Sequence, residues 1–472
     1  MGAAFDLNSK LGDIDNVVRK LFKGLSIFGF RACKHRFKKS KNKEGIMKLN
    51  LSKEWRGCSV FFVLLLGLSA GIPIDTMAAD TVKIGISEAI SGPFEGTGRA
   101  YVLGVQFAVD EQNAKGGLLG KKIELFVDDN EMKPDVAVRK AKKHILENKV
   151  DLLGVGAGSH NVLAATKVAE ENKKIFINYG GLADSLAGKD FSRHSFRVTA
   201  NSYDYAVALA KLMASRPYKR FYILCQDYAF GRDTGKAFKE QLKIYFPQAQ
   251  IVGEDYHPLE TKDFAPYISK VIAAKADAIF TSNWGPDGTN LVRQARSLGL
   301  KAPFPFVNTT MGNDPYVLNE LKDDAIGIHV AFPHDLAVKT PENEAMIARF
   351  HAKYGKEKDF MYWWPIYNTG YTICGWQMAF AAIEKAGSLD PEKIINTFEG
   401  FSYQTPVGLW TMRKCDHQVI LPMYAGVVVP GRNPWFNGSI DPKINFPWVG
   451  GEIMKVPEVA IPPTPDYNRR CP

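Results

Sequence analysis

From Val82 onward the sequence predicts an α/β fold of two Rossmann-like lobes, each built on a central, mainly parallel sheet. Three observations lead there. Short β-branched runs alternate with longer amphipathic stretches, which is the sequence form of βαβ units. That rhythm breaks at Phe196-Arg197-Val198-Thr199 and then restarts. The 472-residue chain, less its first 78 residues, is too long for one typical core.

The elements of the first lobe follow in order. Val82 to Ser87 reads as a strand leading into the Gly-rich turn Ser91-Gly92-Pro93, then a helix from about Arg99 to Asn113 closed by Gly116-Gly117. Lys122 to Asp128 is the next strand, Pro134 to Glu147 a helix, Val150 to Val155 a strand, Leu163 to Glu171 a helix and Ile175 to Asn178 a fourth strand. In the second lobe, helices Tyr203 to Ser215, Arg232 to Phe246, Phe264 to Ala274 and Thr289 to Leu298 alternate with strands Arg220 to Cys225, Ile251 to Tyr256 and Ala278 to Ser282. Further strands fall around Phe306 and Ile328, and a long helix runs from Tyr367 to Ala386. Beyond Arg413 the composition turns to Pro, Gly, Trp and Asn, and the end of the chain reads as an irregular arm.

Ahead of these elements stands an uncharged run, Gly57 to Ile74, with Lys48, Lys53 and Arg56 before it, an apolar core from Val60 to Leu68 and small residues at Thr76, Ala78 and Ala79. This is the layout of a secretory signal peptide over 47–79, cleaved after Ala78 or Ala79, and it predicts a periplasmic protein. An uncleaved anchor is the rival reading, since the run nears the minimum for a membrane span. Residues 1–46 read as an upstream extension, because Met47-Lys48 resembles a conventional start.

Removing Met1 to Ala78 changes the charge reading. The whole chain carries a net +10, but that leader holds 14 of the 60 Lys and Arg and 6 of the 50 Asp and Glu, leaving 46 basic and 44 acidic residues. A balance of +2 gives no case for nucleic-acid binding. No second apolar run approaches spanning length, so the remainder is expected not to be membrane-embedded. Cys225 and Cys374 sit in apolar elements and read as buried thiols. Cys415 and Cys471 lie in loop-like sequence, where a disulfide between them and two free thiols are both open.

Gly154-Val155-Gly156-Ala157-Gly158-Ser159 joins a strand to a helix, so its amides suit an anion or a polar ligand group. A dinucleotide fingerprint would need a glycine where Ser159 stands, and a nucleophile elbow would need G-x-S-x-G. A plain structural turn is the remaining alternative. Ser159, with His160 beside it, faces the end of the next strand at Asn178-Tyr179-Gly180-Gly181, on the carboxyl edge where open α/β sheets bind ligands. The second lobe offers Tyr228, Trp284, Asn308 and Thr309 at its own strand ends, flat apolar walls with neutral hydrogen bonds that suit a small enclosed ligand; core packing is the bland reading of each aromatic. The cluster Phe360 to Pro365 is either a lid or a loop packed on a neighbouring helix. Cys415-Asp416-His417 has metal-ligand residue types without a partner pair at zinc spacing, so no metal and no cofactor is expected, and no catalytic residue is assigned.

The chain resembles the periplasmic solute-binding proteins of branched-chain amino-acid-type ABC transporters. The resemblance rests on Ile90-Ser91-Gly92-Pro93, on Asn113 to Gly120 running into Ile123 to Asp129, on Asp227 to Gly231 and on Leu291 to Leu300, and covers about Thr81 to Met412. It implies the type I binding-protein fold, with lobe 1 formed by 80–198 and 331–402, lobe 2 by 199–330 and 403–450, and an arm over 451–472. Three strands would cross between the lobes, near Arg197 to Thr199, His329 to Phe332 and Phe401 to Thr405, and ligand would close them by a hinge. Carried over by residue, Ser159 matches the serine holding the ligand carboxylate, Gly180 to Leu182 the contacts beside it, Trp284 a tyrosine over the ligand, and Tyr367 a pocket aromatic.

Two departures bear on the ligand. The resemblance implies an acidic residue near Asn308 to Thr310 for a ligand ammonium, and the sequence has none before Asp314; Leu182 also stands in place of a hydroxyl residue. A buried ammonium without a counter-charge is costly. The expected function is therefore a non-enzymatic, monomeric, extracytoplasmic subunit of an ABC importer. It would capture a small organic solute, whether amino acid, aromatic or aliphatic carboxylate or amide, for an inner-membrane permease. A ligand-sensing receptor module of the same fold is the alternative, favoured if the segment at Val60 to Ile74 stays uncleaved.

Overall fold

The computed structural model describes residues 80–359, 362–365, 368–430 and 447–457. The expected signal peptide, Tyr367 and Cys471 lie outside them.

The first sheet is parallel throughout, in the order β2-β1-β3-β4-β5. Its strands are β1 (Val82–Glu88), β2 (Ile123–Asp129), β3 (Leu152–Val155), β4 (Ile175–Asn178) and β5 (Ser195–Arg197). Covered on both faces by helices, β1, β3 and β4 are buried almost end to end, which explains why they read as continuous apolar runs. The helices are α1 (Glu95–Ala114), α2 (Pro134–Lys143) and α3 (Ser159–Glu171). Both α1 and α3 begin four residues earlier than periodicity predicts, because their first turns, Glu95 to Gly98 and Ser159 to Val162, are made mostly of small and polar residues and show no apolar stripe.

The second lobe starts with α4 (Ser202–Ala214), whose N-terminus is fixed by a reciprocal pair: the Asn201 side chain accepts from the Asp204 amide and Asp204 from the Asn201 amide. Then follow β6 (Arg220–Gln226), α5 (Ala229–Tyr245), β7 (Gln250–His257), α6 (Ala265–Ala273), β8 (Ala278–Thr281), α7 (Gly285–Ser297), β9 (Phe306–Asn308), α8 (Pro315–Leu321) and β10 (Ile328–Phe332). The chain returns to the first lobe through α9 (Pro341–Tyr354), α10 (Asn368–Ala386) and α11 (Pro391–Phe398). A small antiparallel sheet, β11 (Ser402–Thr405), β12 (Gly408–Met412) and β13 (Val419–Ile420), precedes β14 (Met423–Val429) and β15 (Trp448–Val456). The second sheet runs β15-β14-β10-β9-β8-β6-β7, with β14 alone antiparallel to both of its neighbours.

The crossings differ in part from expectation. Val198 to Asn201 does lead from β5 into α4, but β10 lies wholly inside the second sheet between β9 and β14, so the return passes through 333–340. Ser402 to Thr405 pairs with β12, and the last crossing follows it. The expected arm from 451 begins inside β15, whose residues to Val456 find edge pairing along β14 and so are not irregular.

At the hinge, the Gln418 amide donates to the Thr199 carbonyl at 2.8 Å, its oxygen accepts from the Arg197 guanidinium, and the Arg197 amide donates to the His417 carbonyl at 2.9 Å. The Cys415-Asp416-His417 segment is thus a brace. Asp416 pairs with Arg413, and the His417 ring stacks on Phe196 with centroids 4.1 Å apart. Cys225 and Cys374 are buried free thiols, and Cys415 is disulfide-bonded.

Candidate functional site

In both sheets the strand order reverses beside the first strand, and the crevice outside those carboxyl ends is the usual ligand position. Register brings the loops together: Val155 pairs with Asn178 and Thr281 with Asn308. Between the lobes these loops enclose a cavity lined by Thr97, Tyr101, Ala157, Gly158, Ser159, Gly180, Leu182, Tyr228, Phe230, Trp284, Thr310 and Tyr371. None of these described lining residues is charged.

One end of the cavity is the start of α3. Gly158 holds φ +80°, a left-handed turn that costs a side-chain-bearing residue strain, and it aims the helix N-terminus at the cavity. Ser159, 5% exposed, accepts the Ala183 amide at 3.1 Å through Oγ, which leaves its hydroxyl proton to be donated inward. Gly180 lies so near Tyr101 that a Cβ there would come within 2.2 Å of the phenol oxygen. The backbone can therefore wall the cavity here only as glycine.

The walls are aromatic. Tyr101 and Tyr371 share a hydrogen bond between hydroxyls at 2.8 Å, and across the cleft the Trp284 indole N–H donates to the Tyr228 hydroxyl at 2.9 Å. Trp284 also packs on Phe94 of the first lobe, with centroids 4.6 Å apart. Burial pushes the Tyr101 and Tyr228 phenols up, so both are neutral hydrogen-bonding groups at ordinary pH. At the far end the Thr310 hydroxyl is buried and has no hydrogen-bond partner among the described residues.

Of the predicted site residues, Ser159, Gly180, Tyr228 and Trp284 converge on this cavity. The other predicted residues that are described do not line it. Asn178 spends its side chain on its own turn, accepting the amides of Gly180 and Gly181 at 3.2 and 2.7 Å and donating to the Gly181 carbonyl at 3.0 Å. Gly181 faces away, against Val162. Asn308 is equally committed, donating to the carbonyls of Thr281 and Asn283 and accepting the amides of Thr310 and Met311. Thr309 is buried behind the wall. His160 points the other way, toward the Met132 carbonyl at 3.3 Å with its ring edge-on to Tyr228, and burial pulls its pKa down so that it is neutral.

Asp314 does not supply the missing acid. Its carboxyl caps α8 through the amides of Tyr316 and Val317 and borders a separate hollow of ≈ 160 Å³. The aromatic cluster after Asp359 packs mainly on its own lobe: Trp364 stacks on His351 of α9 at 3.9 Å, and Tyr362 reaches Tyr316 across the cleft.

Thr97, Tyr101 and Tyr371 went unread in the sequence. Thr97 and Tyr101 are four apart on one face of α1, a signal visible only once the helix is started at Glu95. Tyr371 is brought to them because Asn368 donates to the Thr97 carbonyl at 2.9 Å and Thr369 to the Ala100 carbonyl at 3.0 Å, clasping α10 to α1.

Two α/β lobes closed over a cavity, with a helix N-terminus and neutral polar groups lining it, define a small-solute binding protein. Comparison with known proteins agrees, and the chain belongs to the periplasmic binding protein family, whose profile matches residues 81–433. A Leu/Ile/Val-binding protein homolog from Brucella melitensis is 27% identical over 363 residues, covering 73% of this chain and 83% of the relative. The leucine-, isoleucine-, valine-, threonine- and alanine-binding protein of Pseudomonas aeruginosa is 25% identical, covering 72% and 87%. Among solved structures, the closed Brucella ovis protein of that same description superposes with TM-score 0.72 at 23% identity, covering 82% of this chain and 97% of that one. A solute-binding protein from R. palustris in complex with 4-hydroxybenzoate gives 0.69 at 22%, covering 79% and 97%. The chain is a periplasmic binding protein of the ABC-transporter type, and the fold and family are those of substrate-binding proteins, not enzymes. The family binds small solutes and works with ABC permeases. Among the described residues no helix is long and apolar enough to cross a membrane.

Proposed function

We propose that this protein captures a small organic monocarboxylate with a neutral, aromatic or aliphatic body and delivers it to an inner-membrane ABC permease. The observation that carries this reading is the lining of the cavity. A carboxylate meets the N-terminus of α3 and the Ser159 hydroxyl, a flat body meets Tyr101, Tyr228, Phe230, Trp284 and Tyr371, and none of the described lining residues is a carboxylate that could face an ammonium. An α-amino acid would leave its ammonium buried without a counter-charge, a penalty of several kcal/mol. The solved complex with 4-hydroxybenzoate fits this preference within the same fold.

A thermal-shift screen with benzoate, 4-hydroxybenzoate, benzamide and leucine tests it. The two benzoates should raise the melting temperature most. A response to leucine alone, to benzamide alone or to none of the four would sink the carboxylate assignment.

A further inference from the structure

We propose that Glu88 is a proton-bearing carboxyl that positions the ligand-receiving loop, and that entry of an organic carboxylate into the cavity is coupled to proton uptake from solvent onto Glu88. The inference rests on the carboxylate reading just given. Glu88 is the last residue of β1 and is wholly buried. Its Oε1 accepts the Gly156 amide at 2.6 Å and the Tyr179 hydroxyl at 2.5 Å, and its Oε2 accepts the Ala157 amide at 2.9 Å. Ala157 is itself cavity wall, with Ser159 two residues on. The carboxyl therefore sits one peptide unit behind the surface that receives the ligand's negative end.

Among the described residues none forms an ion pair with Glu88. The titratable side chains facing it are Tyr179, from the end of β4, and Tyr101, from α1, and burial pushes both phenols upward, so both stay neutral where a carboxyl titrates. A second negative charge brought to this site finds no cation among the described lining residues to offset it, and like charges at close range favour a proton on one of them. The surroundings accommodate that proton. All three present hydrogen bonds are donated to Glu88, and of the three donors the Tyr179 hydroxyl can reverse: a protonated Glu88 donates to Tyr179 Oη and keeps both amides. Burial lifts the Glu88 pKa to about 7, against the hydrogen bonds from Tyr179, Ala157 and Gly156, which lower it. Bound anion raises it further, so binding takes up a proton and affinity falls as pH rises through about 7.

Calorimetry of the full chain with benzoate tests this, in two buffers of different ionisation enthalpy at about pH 6 and about pH 8, either side of the Glu88 midpoint. For the wild type, affinity should fall about fivefold between the two, and the heat should change with the buffer by a fraction of one proton. Glu88→Gln should bind benzoate with a flat pH profile and a buffer-independent heat. Tyr179→Phe, which removes a donor to the carboxylate, should move the midpoint to higher pH. Benzoate binding with no pH or buffer dependence in the wild type overturns the proposal by itself, whatever the variants' folding. Absence of benzoate binding overturns the carboxylate reading, and the linkage with it.

Discussion

Thr310 faces the cavity because Asn308, two residues before it, accepts its backbone amide at 2.6 Å. The same Oδ1 takes the Met311 amide at 2.5 Å, while Nδ2 ties the turn to the carbonyls of Thr281 and Asn283 at 2.9 and 2.8 Å. One fully buried amide thus fixes the floor of the second lobe's half of the site.

Asn308→Ala should therefore damage stability as well as binding. It leaves two carbonyls and two amides without partners in the interior, and buried polar groups left unsatisfied cost about 1–3 kcal/mol each before relaxation. We expect a loss of about 3 kcal/mol in urea unfolding with an unchanged m-value. A variant within about 0.5 kcal/mol of wild type, the range of an ordinary surface substitution, would show that the turn is held by other contacts.

Thr310→Glu tests the ligand's charge. The carboxylate would replace a buried hydroxyl that has no partner among the described residues, in a cavity whose described lining carries no charge. Affinity for benzoate should drop by about tenfold or more, the equivalent of roughly 1.4 kcal/mol, and leucine should gain a counter-charge for its ammonium. Calorimetry with both ligands decides it. Benzoate binding that survives the substitution unchanged would remove Thr310 from the site.

Much of this architecture is legible in the sequence, for a physical reason. The parallel strands are buried on both faces, so Val82 to Ser87 and Ile175 to Asn178 announce themselves as apolar runs, and loops at their carboxyl ends follow as the ligand edge. The division of labour among polar residues is not legible in that way. Asn178 and Asn308 occupy strand ends just as ligand contacts do, but whether an amide serves its own turn or a solute depends on backbone geometry a few residues on. Tyr371 was hidden for another reason: it reaches the cavity from a helix far along the chain, through the clasp of Asn368 and Thr369 on α1. Strand β15 escaped notice because Gly450 and Gly451 interrupt its pattern.

Ser159→Ala and Trp284→Ala should both weaken benzoate binding by about 1–3 kcal/mol, through different losses. The first removes the inward hydroxyl and also strands the Ala183 amide, so a small drop in stability should accompany it. The second removes a wall, its packing on Phe94 and its hydrogen bond to Tyr228. Tyr228→Phe separates these effects, because it keeps the ring and loses only the hydroxyl. If both alanine variants bind benzoate as the wild type does, the cavity is not the binding site.

Stability should rise on acidification from mildly alkaline pH. Burial raises the carboxyls of Glu88, Asp314 and Asp335 to about 7 each, and among the described residues none of the three forms an ion pair. A carboxyl raised on folding holds its proton more tightly in the folded state than in the unfolded chain, so its stabilising contribution is present at low pH and is lost as pH rises through about 7. Acidification from about pH 8 to about pH 6 should accordingly raise the urea midpoint, each group adding up to about 1.4 kcal/mol per pH unit within its window. Two buried histidines oppose this in part. Burial depresses His329 and His334 to about 4, so the unfolded chain takes up their protons first, and their own contribution falls as pH drops from the ordinary histidine value of 6.5 toward 4. Three raised carboxyls outweigh two depressed histidines there, so urea midpoints should keep rising below about pH 6 but more gently, and His334→Gln should steepen that rise. A midpoint that instead rises steadily toward about pH 8 would mean that these three acids are ionised in the folded protein.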